Sequence, residues 1–379
     1  MDKVRVGVIG TGGMGTGHCR YMDQIEEVEL TAVCDIVPEV CQAVAEEYGV
    51  KGFEKHTELL DSGLVDMVLI ATPHYGHPPI AIDAFARGIH VLSEKPISVT
   101  VSAADEMIAA WKESGCKFGV MYQMRSSPAC RAAKKIVEEG RLGEIYRTNM
   151  IMASYRSQAY YDSAGWRATW TGEGGGVLIN QAPHYIDLFA WLAGLPKRIV
   201  GNVRTRLHEI EVEDEAFAFL EYENGAHGYL YACTIEAPGT NLIEICGDKG
   251  KLVLYERNLR FWELKTPIKQ FTQESESMWG GPEVEEVEVE IPEAESGHKA
   301  ITRNMARAIL YDEPLIAPGE EGLNAMEIIN GIILSGKTGQ PVDIPVDRAA
   351  YDELLEKLKA TSKGKKRVRE QRITDPSFK

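Results

Sequence analysis

A glycine-rich segment near the N-terminus constrains the fold of this chain more than any other feature. Gly10, Gly12 and Gly15 fit the pattern G-x-G-x-x-G, and they directly follow an apolar run at residues 4–9 that is typical of a strand. In this context the glycines permit a tight turn, close approach of the backbone to a pyrophosphate, and close packing of a helix on the strand. The N-terminus of that helix then offers N–H groups to phosphates. The segment therefore predicts a dinucleotide-binding βαβ unit.

The end of the second predicted strand indicates which dinucleotide binds. Asp35 lies 20 residues after Gly15, where a carboxylate accepts hydrogen bonds from the adenosine ribose hydroxyls and repels a 2′-phosphate. Ile36 and Val37 follow it, and no arginine does. These residues predict NAD as the cofactor in preference to NADP. The alternative is an aspartate that only caps a helix.

The order of the predicted elements divides the chain into three parts. Residues 1–124 alternate strand and helix patterns, and the continuous apolar run at 65–71 is typical of a strand buried on both faces. Residues 125–362 read as a helix, a strand, a polar aromatic loop at 155–174, a helix at 177–192, several hairpin strands and three closing helices. We therefore predict an α/β protein with an N-terminal parallel sheet and a C-terminal α/β domain built on a large, mostly antiparallel open sheet. Residues 363–379 form a basic tail.

Charge and composition exclude several classes of partner. The formal net charge of −16 repels nucleic acid and anionic membranes, so neither is expected to bind. No apolar run approaches the roughly 20 residues that a membrane helix needs, and the N-terminus is a strand pattern rather than a signal peptide. The seven cysteines are scattered and contain no C-x-x-C pair, which predicts a reduced, cytoplasmic protein without a disulfide framework or metal site.

A second candidate site follows the predicted strand at residues 89–92. Glu94, Lys95 and Pro96 come directly after it, so Lys95 is expected at the carboxyl end of the sheet, where α/β sheets bind ligands. A cationic nicotinamide ring beside Lys95 disfavours the ammonium form of the side chain. Lys95 could then exchange a proton with a substrate hydroxyl. The alternative is an exposed surface lysine.

These motifs occur together in one known family. The glycine fingerprint, Ala71-Thr72-Pro73 with His77, Glu94-Lys95-Pro96, Trp166-Arg167 and the glycines at 174–176 before His184 resemble the glucose–fructose oxidoreductase / inositol dehydrogenase / MocA (Gfo/Idh/MocA) family. The resemblance covers nearly the whole chain. It implies a Rossmann domain, NAD or NADP, sugar or cyclitol substrates, and a homodimer or homotetramer formed through the open sheet. It also implies that Lys95 lies between cofactor and substrate and that its bond to Pro96 is often cis.

The helix predicted after the glycines carries further candidate residues. Asn180 and His184 are four apart, which predicts that they share one helical face. His184 is a natural proton acceptor because its ordinary pKa lies near 6.5, although a packed core histidine is the alternative. Many relatives carry an aspartate where this chain has Asn180, and an amide cannot act as a base at neutral pH. The division of proton transfer between Lys95 and His184 therefore stays open, and Asp187 either orients the imidazole or contacts solvent.

Binding roles are predicted for two larger sets. Lys95 and His184 are the predicted catalytic residues. Aromatic faces stack on sugar C–H groups, while polar side chains bond sugar hydroxyls. The predicted substrate contacts are Asn180, Tyr122, Arg125, Tyr155, Trp166 and Arg167. The predicted cofactor contacts are Gly10, Gly12, Gly13, Met14, Gly15, Asp35, Ile36, Thr72, His77, Glu94, Lys95 and Gln123. For His77, a helix-capping role is the alternative, and for the aromatic cluster it is an ordered interdomain loop.

Three functions are consistent with these residues. The leading hypothesis is an NAD-dependent oxidoreductase that transfers a hydride to or from a hydroxyl-bearing carbon of a monosaccharide, cyclitol or glycoside. A second is a glycoside-cleaving enzyme that oxidises one carbon transiently, eliminates the glycosidic substituent and re-reduces the product with no net NADH. The third is a non-catalytic dinucleotide-binding regulatory protein, against which the presence of both Lys95 and His184 argues.

Overall fold

The computed structural model describes residues 2–365 and 367–369, and the strands in this part of the chain form two sheets. The first half contains eleven main elements within those residues. They are β1 (Val4–Ile9), α1 (Gly13–Cys19), β2 (Val28–Cys34), α2 (Pro38–Tyr48), β3 (Lys51–Phe53), α3 (His56–Asp61), β4 (Met67–Ile70), α4 (His77–Phe85), β5 (His90–Ser93), α5 (Val101–Ser114) and β6 (Phe118–Val120). The order β3-β2-β1-β4-β5-β6 is that of a Rossmann sheet, and every pair in it is parallel.

Sequence patterns predicted most of this sheet. β1 has the bounds predicted from the run at residues 4–9, and β2 ends directly before Asp35 as expected. Pro38 occupies the first turn of α2, where its missing N–H costs nothing. The short elements β3 and α3 were not predicted. β3 has only three residues and begins at the exposed Lys51, so it presents no apolar run that a pattern could detect.

The second half contributes the remaining elements. They are α6 (Pro128–Glu138), β7 (Ile145–Tyr155), α7 (Gln158–Tyr161), α8 (Val177–Asn180), α9 (Pro183–Ala193), β8 (Arg198–Arg204), β9 (Glu215–Glu221), β10 (His227–Cys233), β11 (Ile235–Gly247), β12 (Gly250–Tyr255), β13 (Asn258–Leu264), α10 (Ile268–Glu274), β14 (Val284–Val287), α11 (His298–Tyr311), α12 (Gly322–Thr338), β15 (Val342–Asp343) and α13 (Arg348–Thr361). Among the described residues they build a nine-stranded sheet in the order β14-β13-β12-β11-β7-β10-β9-β8-β15.

The predicted open, mostly antiparallel sheet is confirmed. Only the pair of β7 and β10 is parallel within the described sheet. Three helices pack on one face of the sheet: α6 against β12 and β13, α9 against β7, and α12 against β8. The turn between β12 and β13 has positive φ at both Glu256 and Arg257, as a tight two-residue hairpin requires.

One helix crosses between the two halves. Ile301, Met305 and Ala306 of α11 are buried in the same cluster as the apolar residues of β1 and β2, so a C-terminal helix completes the cover of the N-terminal sheet. The boundary predicted at residue 124 falls between β6 and α6 and stays a prediction. Of the predicted basic tail, residues 366 and 370–379 lie outside the described part of the chain.

The prediction of one helix over residues 177–192 was wrong. The segment forms two helices, α8 and α9, which meet at Ala182 and Pro183. Proline lacks the N–H that a continuing helix needs, and its ring clashes with the preceding turn. Pro183 instead opens α9 as its first residue. Asn180 and His184 therefore lie on different helices, and the argument that they share one helical face does not hold.

The described residues show neither a membrane-spanning helix nor a metal-binding cluster. None of their helices has the length and apolar content that crossing a membrane requires. They also contain no group of three or more histidine, cysteine or acidic side chains placed to hold a metal ion. All seven cysteines are unpaired, and all but Cys246 are buried.

Candidate active site

The glycine turn between β1 and α1 has the geometry that a dinucleotide needs. Gly10 adopts a left-handed φ of +89°, and a Cβ there would lie 2.8 Å from the backbone of Ala71. A Cβ on Gly15 would lie 1.8 Å from the carbonyl oxygen of Gly10. At Gly12, by contrast, an added Cβ would meet no described atom within 4 Å. The outer glycines thus serve chain packing, whereas the middle one faces open space where a pyrophosphate fits.

Asp35 is attached to this turn. Its Oδ2 accepts a hydrogen bond of 2.9 Å from the backbone N–H of Thr11, and its Oδ1 accepts one of 3.0 Å from Val37 N–H. The next residue, Ile36, is 87 % exposed. The carboxylate therefore has a local structural role at the mouth of the turn, and its predicted contact with a ribose stays a prediction.

His77 ties together the loops after β4 and β5. The side chain is buried, with Nδ1 2.8 Å from the carbonyl oxygen of Pro96 and Nε2 2.8 Å from that of Thr72. This arrangement contradicts the capping alternative, because α4 begins at His77 itself and Gly76 precedes it. Both ring nitrogens face backbone carbonyls, and the neutral ring donates to one of them; the predicted contact of His77 with the cofactor stays a prediction.

Glu94 likewise points into the protein. Its Oε1 lies 2.7 Å from Nε2 of His18 on α1, and its Oε2 accepts a 3.1 Å hydrogen bond from the backbone N–H of Lys95. Burial alone would raise the pKa of Glu94, but the hydrogen bond and charge of His18 outweigh it and hold that pKa at about 2. His298, at the start of α11, stacks edge-on 5.5 Å from His18. The Glu94 side chain therefore anchors its loop, and its predicted contact with the cofactor stays a prediction.

Lys95 extends from this anchored loop toward the second half of the chain. The peptide bond between Lys95 and Pro96 is cis. Its Nζ donates a 2.7 Å hydrogen bond to the backbone carbonyl of Asn180, at the end of α8. The ammonium charge also acts on the titration of His184 and Glu173. Lys95 thus connects the carboxyl edge of the parallel sheet to the helices of the open sheet.

His184 lies beside this connection. Its Nε2 is 3.3 Å from Nε2 of Gln123, and its Nδ1 has no hydrogen-bond partner in the described part of the chain. Burial, with the positive charge of Lys95 as the second cause, lowers the pKa of His184 well below 6.5. The imidazole is therefore neutral at pH 7 and able to accept a proton. The fold brings Lys95, Gln123 and His184 together, whereas their chemical roles stay predictions.

Arg125 and Asp187 form an internal ion pair. Nε and Nη2 of Arg125 donate hydrogen bonds of 2.8 and 2.6 Å to the two oxygens of Asp187, and Nη1 donates to Glu321. Both partners of the main pair are about 1 % exposed or less. Asp187 therefore neither orients His184 nor contacts solvent. Arg125 links the loop after β6 to α9, and its predicted contact with the substrate stays a prediction.

A buried carboxylate that sequence patterns missed lies next to Lys95. Glu173 accepts hydrogen bonds from the side-chain amide of Asn180 and from the backbone N–H of Ala168, and it lies 3.9 Å from Nη1 of Arg167. Burial raises its pKa, although these partners oppose the shift. Because the Asn180 side chain is engaged by Glu173, its predicted bond to a substrate hydroxyl is not supported by the geometry. The only sequence signal for Glu173 was its position directly before the glycines at 174–176.

The predicted aromatic cluster is partly assembled. The Arg167 guanidinium lies 4.4 Å from the ring centre of Tyr160 and 4.6 Å from that of Trp166, and its Nη1 donates a 2.7 Å hydrogen bond to the Tyr160 hydroxyl. The Trp166 ring lies 6.3 Å from that of the buried His74. Tyr155, by contrast, is 52 % exposed at the end of β7. Trp166 and Arg167 therefore lie together near Glu173, and Tyr160 joins them although it was not predicted.

Unsatisfied polar atoms mark the space between these residues. A buried polar atom without a hydrogen bond costs about 1–3 kcal/mol, so such atoms indicate where a ligand supplies the missing partner. Within the described residues the site contributes six of them. They are Thr72 Oγ1, Tyr122 Oη, Gln123 Oε1, Arg167 Nε, Gln181 Oε1 and His184 Nδ1. The mixture of donors and acceptors is suited to a molecule that carries several hydroxyl groups.

Two family models match the chain and together span most of it. Residues 4–122 match the oxidoreductase family with an NAD-binding Rossmann fold, and residues 130–253 match the GFO/IDH/MocA C-terminal domain. The chain belongs to the Gfo/Idh/MocA family. The resemblance first seen in the motifs at 10–15, 94–96 and 174–176 is thereby confirmed, as is the combination of a Rossmann sheet with a large open sheet.

Relatives within the Gfo/Idh/MocA family bear varied names. The chain is 29 % identical over 296 residues to levoglucosan dehydrogenase of Pseudarthrobacter phenanthrenivorans, covering 68 % of this chain and 75 % of the relative. It is 25 % identical over 355 residues to the Bacillus subtilis scyllo-inositol 2-dehydrogenase (NADP(+)) IolW, covering 89 % and 95 %. The structure of the WlbA dehydrogenase from Bordetella pertussis with NADH and UDP-GlcNAcA superposes with a TM-score of 0.78 at 29 % identity, covering 91 % and 100 %. This family member is therefore an oxidoreductase with an NAD-binding Rossmann domain and sugar-modifying relatives.

Proposed function

We propose that the protein is an NAD-dependent oxidoreductase that transfers a hydride between nicotinamide and a hydroxyl-bearing carbon of a monosaccharide, cyclitol or glycoside. The observation that carries this proposal is the hydrogen bond from Lys95 Nζ to the carbonyl of Asn180, with the neutral His184 within the electrostatic influence of Lys95. Two groups that can exchange a proton thus meet at the carboxyl edge of a Rossmann sheet.

The proton of the substrate hydroxyl is handled by these two groups. When bound, the nicotinamide supplies the hydride-accepting and hydride-donating chemistry, and the protein supplies position and charge. The imidazole of His184 is unprotonated near neutral pH because burial lowers its pKa, so it accepts the proton during oxidation and returns it during reduction. Lys95 donates a hydrogen bond to the same hydroxyl oxygen and stabilises negative charge that develops there.

The other hydroxyl groups of the substrate are held by the unsatisfied atoms of the site. Gln181 directs its Nε2 to Tyr160 at 3.0 Å and keeps Oε1 without a partner among the described residues. Its carbonyl can therefore accept a hydrogen bond from a sugar hydroxyl. The Tyr122 hydroxyl is buried near His184 and has no partner among the described residues, so we propose that it donates a hydrogen bond to another sugar hydroxyl. We assign these two residues the role that the sequence had suggested for Asn180.

The preference for NAD over NADP rests on the loop after β2. The carboxylate of Asp35 lies at the mouth of the glycine turn, and no arginine or lysine follows among residues 36–42. A 2′-phosphate there would meet a negative charge with no compensating cation. We therefore propose NAD as the working cofactor, although IolW bears NADP in its name.

The experiment that tests the function is a substrate panel. Inositols, aldoses and aryl glycosides are incubated with the purified protein and NAD or NADP, and both absorbance at 340 nm and aglycone release are followed. The proposal predicts NADH in amounts equal to the oxidised product. Aglycone release without NADH would instead support glycoside cleavage by transient oxidation. Binding of NADH without turnover of any polyol would support the regulatory alternative.

The uncovered face of the open sheet supports self-association. Val200, Phe219 and Tyr229 lie opposite one another on β8, β9 and β10, and they are 41 %, 58 % and 36 % exposed. An apolar row of this kind on a solvent-facing sheet is typical of an interface. We propose that a second copy covers it, giving a homodimer or homotetramer. Analytical ultracentrifugation should show the oligomer in the wild type and a smaller species in Phe219→Glu, and an unchanged species in that variant would contradict this interface.

A further inference from the structure

The short helix α8 is held from outside by a buried glutamate. Oε1 of Glu213 accepts a hydrogen bond of 2.9 Å from the backbone N–H of Gly176 and one of 3.1 Å from that of Leu178. The backbone carbonyl of Glu213 accepts a third, of 2.9 Å, from the N–H of Val177. One residue therefore binds three consecutive N–H groups at the start of α8.

The helix α8 needs this external support. It has only four residues, and a single helical turn fixes many backbone angles in return for few internal hydrogen bonds. The N–H groups of its first turn have no acceptor within the helix. The three glycines at 174–176 precede it, and glycine loses more conformational freedom on folding than any other residue. Contacts outside the helix therefore decide where α8 lies.

The segment that carries Glu213 is firmly attached to the open sheet. The side chain of the next residue, Asp214, accepts hydrogen bonds of 2.7, 2.9 and 3.0 Å from the backbone N–H groups of residues 206–208. The Asp214 carbonyl accepts one of 2.9 Å from the N–H of Thr234, directly after β10. A Cβ on Gly176 would lie 1.9 Å from the Glu213 carbonyl oxygen, so the two backbones are in close contact. Glu213 thus provides a fixed position against which α8 rests.

The other end of α8 holds Lys95. Asn180 is the last residue of the helix, and its N–H donates a 3.0 Å hydrogen bond to the carbonyl of Gly176. The Asn180 carbonyl in turn accepts the 2.7 Å hydrogen bond from Lys95 Nζ. A continuous series of hydrogen bonds therefore runs from the Glu213 carboxylate through α8 to the ammonium group of Lys95.

We propose that Glu213 is a positioning residue for Lys95: its carboxylate fixes α8, and the Asn180 carbonyl at the end of α8 fixes the ammonium group at the substrate hydroxyl. This inference rests on the proposed function and adds a residue that does not itself touch the substrate. The role depends on where the Glu213 oxygen lies rather than on its charge. A neutral oxygen at the same place should therefore serve, whereas a charged oxygen at a different place should not.

Two variants separate position from charge. Glu213→Gln keeps an acceptor at the place of Oε1 and removes the charge, whereas Glu213→Asp keeps the charge and withdraws the oxygens by one methylene. Trace acetylation of the intact protein with acetic anhydride measures the reactivity of Lys95 relative to that of the exposed Lys112. We expect this reactivity to rise about threefold or more in Glu213→Asp, because the hydrogen bond that holds the ammonium is weakened. In Glu213→Gln it should stay within about twofold of the wild type.

Glu327→Asp is the matched control. Glu327 is also a buried carboxylate, and its Oε2 accepts a 2.7 Å hydrogen bond from the backbone N–H of Val346, outside the site. The same shortening there should leave the reactivity of Lys95 unchanged. An equal rise in Glu327→Asp would show that loosening any buried carboxylate exposes Lys95, and the positioning role would be wrong.

Kinetics provide the second test, with a polyol that the substrate panel identifies. We expect Glu213→Asp to lower kcat/KM by about 10–100-fold, because small misplacements of a reacting group are costly, while NADH affinity stays unchanged. Glu213→Gln should restore kcat/KM to within about threefold of the wild type. Added to Lys95→Ala, Glu213→Asp should cost little more. Losses that multiply would show that Glu213 does not act through Lys95.

A third measurement does not require the Glu213 variants to fold. Coupling between two sites is reciprocal, so removing the Lys95 side chain should loosen the N–H groups that Glu213 binds. Hydrogen exchange followed by mass spectrometry should show that Lys95→Ala speeds exchange at residues 176–178 by about twofold or more. Unchanged exchange in this segment would overturn the proposal.

The outcomes distinguish this inference from the proposed function. If no polyol is oxidised, the proposed function fails, while acetylation and hydrogen exchange still decide whether Glu213 positions Lys95. If the reactivity of Lys95 rises as much in Glu213→Gln as in Glu213→Asp, the charge of Glu213 matters rather than its position. The inference would then be wrong even where a polyol is oxidised.

Discussion

The two sides of the cleft are built in different ways. On the cofactor side, three polar side chains are directed at the protein itself: Asp35 at the glycine turn, His77 at two loops and Glu94 at His18. On the substrate side, Gln181 and Arg167 retain buried atoms without partners among the described residues. We therefore expect the cofactor to be held largely by backbone groups, and the substrate to be held by side chains such as those of Gln181 and Arg167.

Lys95 links the two sides, so its removal should have the largest effect. We expect Lys95→Ala to lower kcat/KM by about 10²–10³-fold, the usual cost of removing a donor that stabilises negative charge in the transition state. Affinity for NADH, measured by cofactor fluorescence, should stay close to that of the wild type because the glycine turn is intact. Lys112→Ala, a change at an exposed lysine, is the control. A variant that lost NADH binding and activity together would place Lys95 wholly on the cofactor side.

The Arg125–Asp187 pair sharpens the comparison, because the sequence had assigned Arg125 to the substrate. Arg125→Met leaves Asp187 buried without its partner, and such a loss costs about 3–5 kcal/mol of unfolding free energy. Replacing both residues, as Arg125→Met with Asp187→Leu, should restore much of that stability. Denaturant unfolding measures both. If Arg125→Met kept full stability but raised KM for the sugar, the residue would belong to the substrate side after all.

The pH dependence of the reaction tests the burial of His184. Its folded pKa is lowered well below 6.5, so the neutral imidazole persists at pH 6.5 and is lost only as the pH falls further. For oxidation, kcat/KM of the wild type should fall at low pH, and part of that fall should be absent from His184→Asn. We expect this His184-dependent fall to lie below pH 6.5, at about tenfold per pH unit beneath the pKa. A limb centred at 6.5 or above would show that His184 is solvated in the working enzyme.

The smallest expected effect concerns the choice of dinucleotide. Removing the carboxylate in Asp35→Asn takes away the repulsion of a 2′-phosphate without adding a cation. We expect the ratio of kcat/KM for NAD to that for NADP to fall by roughly tenfold. Glu39→Gln removes an exposed carboxylate in the first turn of α2 and so controls for the general electrostatic field of the protein. It should leave the ratio of kcat/KM for NAD to that for NADP unchanged. An unchanged ratio in Asp35→Asn would remove the basis for proposing NAD.

The features that could be predicted from sequence lie mainly on the cofactor side of the cleft. The glycine turn, Asp35 and the Glu94-Lys95-Pro96 segment are contiguous motifs at strand ends, so their positions follow from local patterns. Even there, the inward direction of Glu94 was missed, because its partner His18 is 76 residues away. Local patterns indicate which residues lie at the edge of a sheet, but they do not indicate which distant side chain each of them contacts.

On the substrate side, prediction failed for a turn and for a helix boundary. Glu173 lies in a turn and accepts hydrogen bonds from Ala168 and Asn180, only five and seven residues away, but a turn has no periodic pattern that shows which way its side chains point. Periodicity also favoured one helix over residues 177–192, although Pro183 divides it. The proline was a local signal for this boundary, whereas the inward direction of the Glu173 side chain had none.

The central claim is that Lys95 and His184 act on one substrate hydroxyl. A double-mutant cycle on kcat/KM with Lys95→Ala, His184→Ala and both together tests it most directly. If the two residues act as a unit, the double variant should lose little more activity than the more damaged single variant. Losses that multiply, with no coupling between the positions, would show that the ammonium and the imidazole work at separate places, and the proposed mechanism would be wrong.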